Sequence, residues 1–189
     1  MKEMIKPSIN GIYFENYDIV RGADFSNHIK GDIYYNGECV GYYDPLYHNS
    51  DTVQTTTFVR LEDQLIAEKN AGYVSLFAND LTNSEKIYGV EELLKDLEYI
   101  TYMYQFLHHI QPDDDFESKR LVGLINNEFM QVVSIIDKSV DISNHQAVVK
   151  YYNDNISEKG GQKLNENYPT FLFRRLNDFT ITTAIVVNS

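Results

Sequence analysis

The chain has 189 residues, 43% of them apolar, which suits one ordinary folded domain. Its 28 acidic residues outnumber its 16 lysines and arginines, so the formal net charge is −12. This balance argues against direct binding to nucleic acid or to an anionic membrane surface, because both draw on clustered basic side chains. The chain holds one cysteine, Cys39, and therefore cannot form an internal disulfide.

The sequence also predicts where the protein works. Its first eight residues contain no apolar run typical of a secretory signal. No run approaches the roughly 18 apolar residues that a membrane-spanning helix needs. We therefore expect a cytoplasmic protein that makes no contact with a membrane.

The first 60 residues predict an antiparallel sheet. The dipeptide Asn36-Gly37 lies between two stretches rich in aromatic and β-branched residues. It favours the positive φ angles of a type I′ turn and therefore a two-residue hairpin. Residues 11–21 and 52–59 have a similar strand composition. Residues 60–79 are ambiguous between helix and strand.

The middle of the chain predicts helices. Residues 82–85 match a capping box, after which a long helix should run to about Ile110. Its apolar residues alternate steps of four and three, the spacing of a buried seam, and are Leu93, Leu97, Ile100, Tyr104 and Leu107. A second helix over residues 116–138 should form an antiparallel hairpin with the first. A third helix is expected over residues 143–157.

The end of the chain predicts a β-hairpin over residues 168–189, with an Asn-Asp turn, that packs on or joins the N-terminal sheet. The predicted fold class is therefore α+β, in a single domain over residues 1–189. Residues 1–60 would be mostly strand. Residues 80–158 would hold the helical hairpin and the third helix.

Acidic side chains are concentrated in the middle of the chain, where residues 61–119 hold 13 acidic and 4 basic residues. A rigid acidic surface can imitate the charge spacing of a nucleic-acid backbone and occupy the basic groove of a protein. A solvated helix face without a specific role is the alternative interpretation. The predicted acidic surface comprises Glu85, Glu91, Glu92, Asp96, Glu98, Asp113, Asp114 and Asp115.

Tyrosines cluster around the predicted Asn-Gly hairpin. Tyrosine is enriched at protein interfaces because it buries a large rigid surface and keeps a polar tip. The edge of a core is an equally good interpretation in a chain without tryptophan. Stacking on bases is less favoured, since that mode needs an accompanying positive groove. The candidate interface residues are Tyr34, Tyr35, Tyr42 and Tyr43.

Two sets of residues could support catalysis. The densest stretch of metal-ligating side chains comprises His108, His109, Asp113, Asp114 and Asp115. Adjacent histidines point about 100° apart on a helix, and helix-end capping explains these residues equally well, so we expect no metal site and no cofactor. Cys39 with His28 or His48 is the second set, a candidate nucleophile and base, although no known motif surrounds the cysteine.

The leading hypothesis is a non-enzymatic protein-binding module. It would be a small acidic inhibitor of a nucleic-acid-handling host protein, of the kind that phages and other mobile elements carry. Its partner would be a protein with a basic groove, without direct contact to nucleic acid.

Two alternatives stay open. One is a metal-assisted hydrolase or nuclease that uses some of His108, His109 and the aspartates at positions 113–115. The other is a structural protein that forms homo-oligomers through its tyrosine surface.

Overall fold

The computed structural model describes residues 5–22, 27–45, 56–70, 90–110, 121–126, 132–155, 163–165, 170–173 and 176–182. This part of the chain is α+β, with a six-stranded sheet, a three-stranded sheet and three α-helices. The chain forms two compact units. The first comprises residues 1–76, 83–102 and 179–189, and the second comprises residues 77–82 and 103–178. A single domain over residues 1–189 stays a prediction.

The six-stranded sheet belongs to the first unit and has the order β5-β4-β3-β2-β1-β9. Its strands are β1 (Ser8–Ile9), β2 (Ile12–Arg21), β3 (Asn27–Tyr35), β4 (Glu38–Tyr43), β5 (Thr56–Phe58) and β9 (Thr180–Ile181). Neighbouring strands are antiparallel except β1 and β9, which are parallel. The predicted antiparallel sheet near the N-terminus is thus confirmed.

Two Asn-Gly turns shape this sheet. Asn36 and Gly37 have φ angles of 51° and 86° and join β3 to β4, which confirms the predicted turn. The same dipeptide, Asn10 and Gly11, joins β1 to β2 with φ angles of 51° and 79°. Asparagine and glycine tolerate this left-handed region better than other residues, so each dipeptide favours a tight hairpin.

A bulge interrupts β2 between Glu15 and Asp18. Gly31 on the neighbouring β3 leaves room for it. A Cβ atom at position 31 would lie 2.5 Å from Tyr17 Cβ and 2.7 Å from Tyr17 Cα. Contacts this short cannot form without moving the backbone, so the bulge requires glycine at this position.

Two helices follow the N-terminal strands, α1 (Leu61–Asn70) and α2 (Val90–Ile110). Residues 90–102 of α2 belong to the first unit, and residues 103–110 belong to the second. Every member of the predicted seam on α2 is buried, which confirms that prediction. The predicted capping box at residues 82–85 lies outside the described residues. None of the described helices is long and apolar enough to cross a membrane.

The second unit contains the three-stranded antiparallel sheet, with the order β7-β6-β8. Its elements are β6 (Leu121–Asn126), β7 (Val132–Ile135), α3 (His145–Asn155) and β8 (Thr170–Phe173). Its buried core comprises Val122, Leu124, Ile136, Val148, Val149, Tyr152 and Leu164. Because Gly123 on β6 has no side chain, Met103 of α2 can pack directly against this strand. A Cβ atom at position 123 would lie only 2.9 Å from Met103 Sδ.

The helix predicted over residues 116–138 is wrong, and with it the antiparallel helical hairpin. Residues 121–126 and 132–135 form the paired strands β6 and β7 instead. Both segments are short and rich in valine and isoleucine, which favour strands. Pairing of β6 with β7 on one side and β8 on the other outweighs the helical spacing of the apolar residues.

The predicted C-terminal β-hairpin is also wrong. β8 pairs with β6 in the second unit, whereas β9 pairs with β1 in the first. A single 3₁₀ turn, Leu176–Phe179, replaces the expected tight turn. One part of the prediction is confirmed, because β9 joins the N-terminal sheet; β8 does not. Residues 183–189 lie outside the described part.

The third predicted helix is confirmed as α3. Its N-cap is Asn144, whose side-chain oxygen accepts hydrogen bonds from the backbone N–H groups of Gln146 (3.1 Å) and Ala147 (3.3 Å). Near its C-terminus, the Asn153 side chain both donates to and accepts from the backbone of Leu164, at 2.8 Å each. This exchange satisfies a buried amide and fixes residues 163–165 against the helix.

Candidate functional site

The first sheet separates the candidate tyrosines into two groups. Successive side chains on a strand point to opposite faces, so each adjacent tyrosine pair is divided. Tyr35 and Tyr43 lie on the face that carries the core, which we call the inner face. Tyr43 is 2% exposed, and its ring stacks on Phe14 with 5.3 Å between centroids. The prediction that Tyr43 belongs to an interface is therefore wrong, because it is a core residue.

The inner face carries a small apolar pocket. It is lined by Ile12, Ile33 and Tyr35 of the sheet, among other apolar side chains from the first unit. Among the lining residues that the structure describes, Asp63 alone is charged, and it is itself buried. Arg60 donates two hydrogen bonds of 3.0 Å to it and lowers the pKa of its carboxyl. With its one carboxylate held by arginine, this pocket offers packing rather than acid–base chemistry.

A buried polar cluster lies beside this pocket on the inner face, centred on Glu98 of α2. Glu98 Oε1 accepts a hydrogen bond of 2.6 Å from the backbone N–H of Ile29 and lies 3.2 Å from Nδ1 of His28. Glu98 Oε2 accepts a hydrogen bond of 2.9 Å from the Tyr43 hydroxyl. One turn further on, the Tyr102 hydroxyl accepts a hydrogen bond of 2.8 Å from Asn27. These contacts join α2 to β3 and β4.

Burial raises the pKa of the Glu98 carboxyl above its usual value of 4.5. The hydrogen bonds from Ile29 and Tyr43 and the nearby His28 lower this pKa, but burial outweighs them. Perturbed carboxylates occur both in active sites and in structural networks. Here the two hydrogen-bond donors are a strand N–H and the hydroxyl of a core tyrosine, and they tie the carboxylate to β3 and β4. We therefore interpret Glu98 as an anchor between helix and sheet.

The burial of α2 corrects the predicted acidic surface. Asp96 is 1% exposed and Glu98 is 5% exposed, so neither contributes to a solvent-facing acidic surface. The cause is their spacing, because Asp96 follows the buried Leu93 by three positions and Glu98 follows the buried Leu94 by four. Residues three and four apart share a helix face.

The other members of the predicted acidic surface are not tested. Glu91 and Glu92 lie in the first turn of α2, and their side chains lie outside what the structure describes. The members outside the described residues are Glu85, Asp113, Asp114 and Asp115. Their contribution to an acidic surface stays a prediction.

Of the first predicted catalytic set, the structure describes the side chain of His108 alone, because the His109 side chain, Asp113, Asp114 and Asp115 lie outside the described part. His108 is exposed and its ring tilts against Tyr104, with 5.8 Å between centroids. Within the described ranges, no three histidine, cysteine or carboxylate side chains are grouped to hold a metal. Cys39 pairs with Tyr34 on β3, which is six residues from His28 and thus about 20 Å away along the strand. The predicted pairing of Cys39 with His28 is therefore wrong, and His48 lies outside the described residues.

The opposite face of the first sheet places aromatic rings beside carboxylates. Tyr13 lies directly across from Tyr34, and their rings stack with 5.7 Å between centroids. In the next row, Glu15 lies across from Asp32, which lies across from Tyr42. Tyr42 is 39% exposed. We call Tyr13, Glu15, Asp32, Tyr34 and Tyr42 the outer face.

The charges of the outer face are partly neutralised by the chain itself. Lys6 forms an ion pair with Glu15, and its ammonium lies 4.8 Å from the centre of the Tyr13 ring. The hydrogen bond to Glu15 raises the pKa of Lys6. Asp32 accepts a hydrogen bond of 3.0 Å from the Asn16 amide, and no ion pair within the described residues involves Asp32.

Comparison with known proteins gives no relative. No family model, no curated protein and no solved structure matches this chain. The outer face and the Glu98 cluster are therefore interpreted from their own geometry.

Proposed function

We propose that this chain is a non-enzymatic protein-binding module whose binding surface is the outer face of the first sheet. The observation that supports this most directly is the grouping of Tyr13, Tyr34 and Tyr42 on one face of the sheet, in two adjacent rows that also hold Glu15 and Asp32. Tyrosine gives large contact area at a low cost in conformational entropy, and its hydroxyl tolerates exposure before binding.

The partner is a protein with a basic surface. The net charge of −12 favours such a partner by steering the encounter, and it disfavours nucleic acid as a direct ligand. Proteins that handle nucleic acids commonly carry such basic surfaces. The proposal therefore includes that this chain inhibits a protein of that class and is carried by a phage or another mobile element. The carboxylates of the outer face replace Asp96 and Glu98 as the acidic contacts.

The test compares two aromatic side chains of equal exposure. Tyr42 on the outer face is 39% exposed, and Phe106 on α2 is 42% exposed. A partner is captured from lysate with the wild-type chain and purified, and its affinity is then measured by calorimetry for Tyr42→Ala and for the control Phe106→Ala. We expect affinity to fall about ten-fold or more for the first and less than about two-fold for the second. Equal affinities would contradict the proposal.

The two alternatives predict other outcomes. A self-associating protein would show a mass that rises with its own concentration in sedimentation and falls to the monomer mass in Tyr42→Ala. A metal-assisted nuclease would cleave nucleic acid with added Mg²⁺, Mn²⁺ or Zn²⁺, and would lose this activity in His108→Ala while keeping it in Tyr42→Ala. Either result would replace the proposal.

A further inference from the structure

The outer face places two like charges directly opposite each other. Glu15 and Asp32 are paired across β2 and β3, where the Cβ atoms of opposite residues lie about 5 Å apart. Two carboxylates at that separation repel each other unless cations neutralise them. Lys6 neutralises Glu15, and Asp32 is held by the uncharged amide of Asn16. A second cation at this place would remove the repulsion.

Lys6 shows how a cation sits on this face. Its ammonium contacts the Glu15 carboxylate and lies over the Tyr13 ring, so it combines an ion pair with a cation–π interaction. The Lys6 side chain is 52% exposed, so solvent or a competing ligand can replace it. In the absence of a partner, Lys6 therefore occupies part of the outer face, and a cation of the partner can displace it.

We infer that the outer face binds an arginine-bearing extended segment of a protein partner, with the guanidinium between Glu15 and Asp32 and against the tyrosine rings, in the place that Lys6 partly occupies. This inference rests on the proposed function. Arginine fits better than lysine because its planar group can donate to both carboxylates at once and stack on an aromatic ring.

Charge separates this occupant from the other candidates. Nucleic acid would bring phosphates against Glu15 and Asp32, and repulsion would oppose its binding. A second copy of this chain would bring the same two carboxylates and another net charge of −12 to the contact. An arginine-bearing segment brings positive charge to Glu15 and Asp32, whereas Lys30, on the same face of β3, is paired with Asp44 at 2.7 Å.

The experiment uses two synthetic peptides with blocked ends and the full-length protein. In one peptide arginine alternates with serine, and in the other the neutral analogue citrulline replaces each arginine. Binding is measured by fluorescence anisotropy at low salt. We expect the arginine peptide to bind at least about ten-fold more tightly than the citrulline peptide. Equal binding of the two peptides would overturn the inference.

Three variants place the peptide on the outer face. Asp32→Asn should weaken arginine-peptide binding at least about five-fold, whereas Asp154→Asn, an exposed carboxylate on α3, should change it less than about two-fold. Lys6→Met, which removes the internal competitor, should strengthen binding. Equal effects of the two aspartate variants, or weaker binding by Lys6→Met, would overturn the inference. The circular dichroism spectrum of each variant is compared with that of wild type, as a control that the variant is folded.

The inference and the proposed function can fail separately. If the captured partner depends on Tyr42 but the arginine peptide does not bind, the proposed function stands and the choice of arginine is wrong. If the partner binds Tyr42→Ala as well as wild type, the outer face is not the binding surface, and the inference falls with it.

Discussion

The two faces of the first sheet use the same kinds of side chain for different purposes. Each has a stacked aromatic pair with the same 25° between ring planes, Phe14 with Tyr43 inside and Tyr13 with Tyr34 outside. On the inner face the carboxylate of Glu98 is buried and accepts hydrogen bonds from the sheet. On the outer face Glu15 keeps contact with solvent and pairs with the exposed side chain of Lys6, and Asp32 accepts a hydrogen bond from Asn16. Position along the strand, rather than residue type, thus decides whether a tyrosine stabilises the fold or is available to a partner.

The largest expected effect separates two adjacent tyrosines. Tyr43→Ala removes a buried ring and should lower the free energy of unfolding by about 4 kcal/mol. Tyr42→Ala removes a half-exposed ring and should lower it by less than about 1 kcal/mol. Urea titrations of the two variants measure both values. Similar losses for the two variants would mean that the faces do not differ as described.

The next effect concerns the carboxylate that anchors α2. Glu98→Ala leaves the Ile29 N–H and the Tyr43 hydroxyl without their acceptor, so it should lower the free energy of unfolding by about 3 kcal/mol. Glu98→Gln keeps an acceptor oxygen and removes the buried charge, and should change it by about 1 kcal/mol or less. Urea titration at neutral pH measures both. A loss for Glu98→Ala no larger than that for Glu98→Gln would contradict the anchoring role.

The smallest expected effect is a dependence on pH. Because burial raises the pKa of Glu98, the folded state favours the protonated carboxyl. This contribution to stability is fully present below the usual value of 4.5 and is lost as the pH rises through the folded pKa. The free energy of unfolding of wild type, relative to Glu98→Gln, should therefore increase as the pH is lowered towards 4.5. Urea titrations over this range measure the difference.

Two other groups must be separated from this effect. His28 lies beside Glu98, so the comparison is repeated with His28→Gln in both chains. Asp63 has the opposite sign, because Arg60 lowers its pKa and its contribution is lost as the pH falls through that lowered value, below 3.8. That loss lies outside the measured range. A difference between wild type and Glu98→Gln that stays constant or decreases on acidification would exclude a raised pKa of Glu98.

Local signals predicted the parts of the fold that neighbouring residues determine. Asn36-Gly37 predicted a hairpin because the tight turn needs positive φ angles, which these two residues tolerate. The spacing of apolar residues in α2 predicted a buried helix. The Asn10-Gly11 turn carries the same signal and was not interpreted from the sequence. The strand β6 was missed and β8 was predicted with the wrong partner, because the two strands pair through residues about 50 positions apart in the chain.

The candidate site is predicted less well, because residue type alone does not show which face of a strand or helix a polar side chain occupies. The strand period of two separates Tyr34 from Tyr35 and Tyr42 from Tyr43, and it could have divided the cluster correctly. The helix spacing from Leu94 to Glu98 likewise places that carboxylate on a buried face. The Tyr13–Tyr34 stack and the Glu15–Asp32 pair depend on the register between β2 and β3, which the sequence does not reveal.

The most direct test of the central claim is a crosslink from the outer face to the captured partner. A photoreactive benzoylphenylalanine is placed at Tyr42 in one protein and at the equally exposed Phe106 in another, and each is irradiated with the partner. We predict a covalent adduct from position 42 and none from position 106. An adduct from position 106 alone would show that the outer face is not the binding surface.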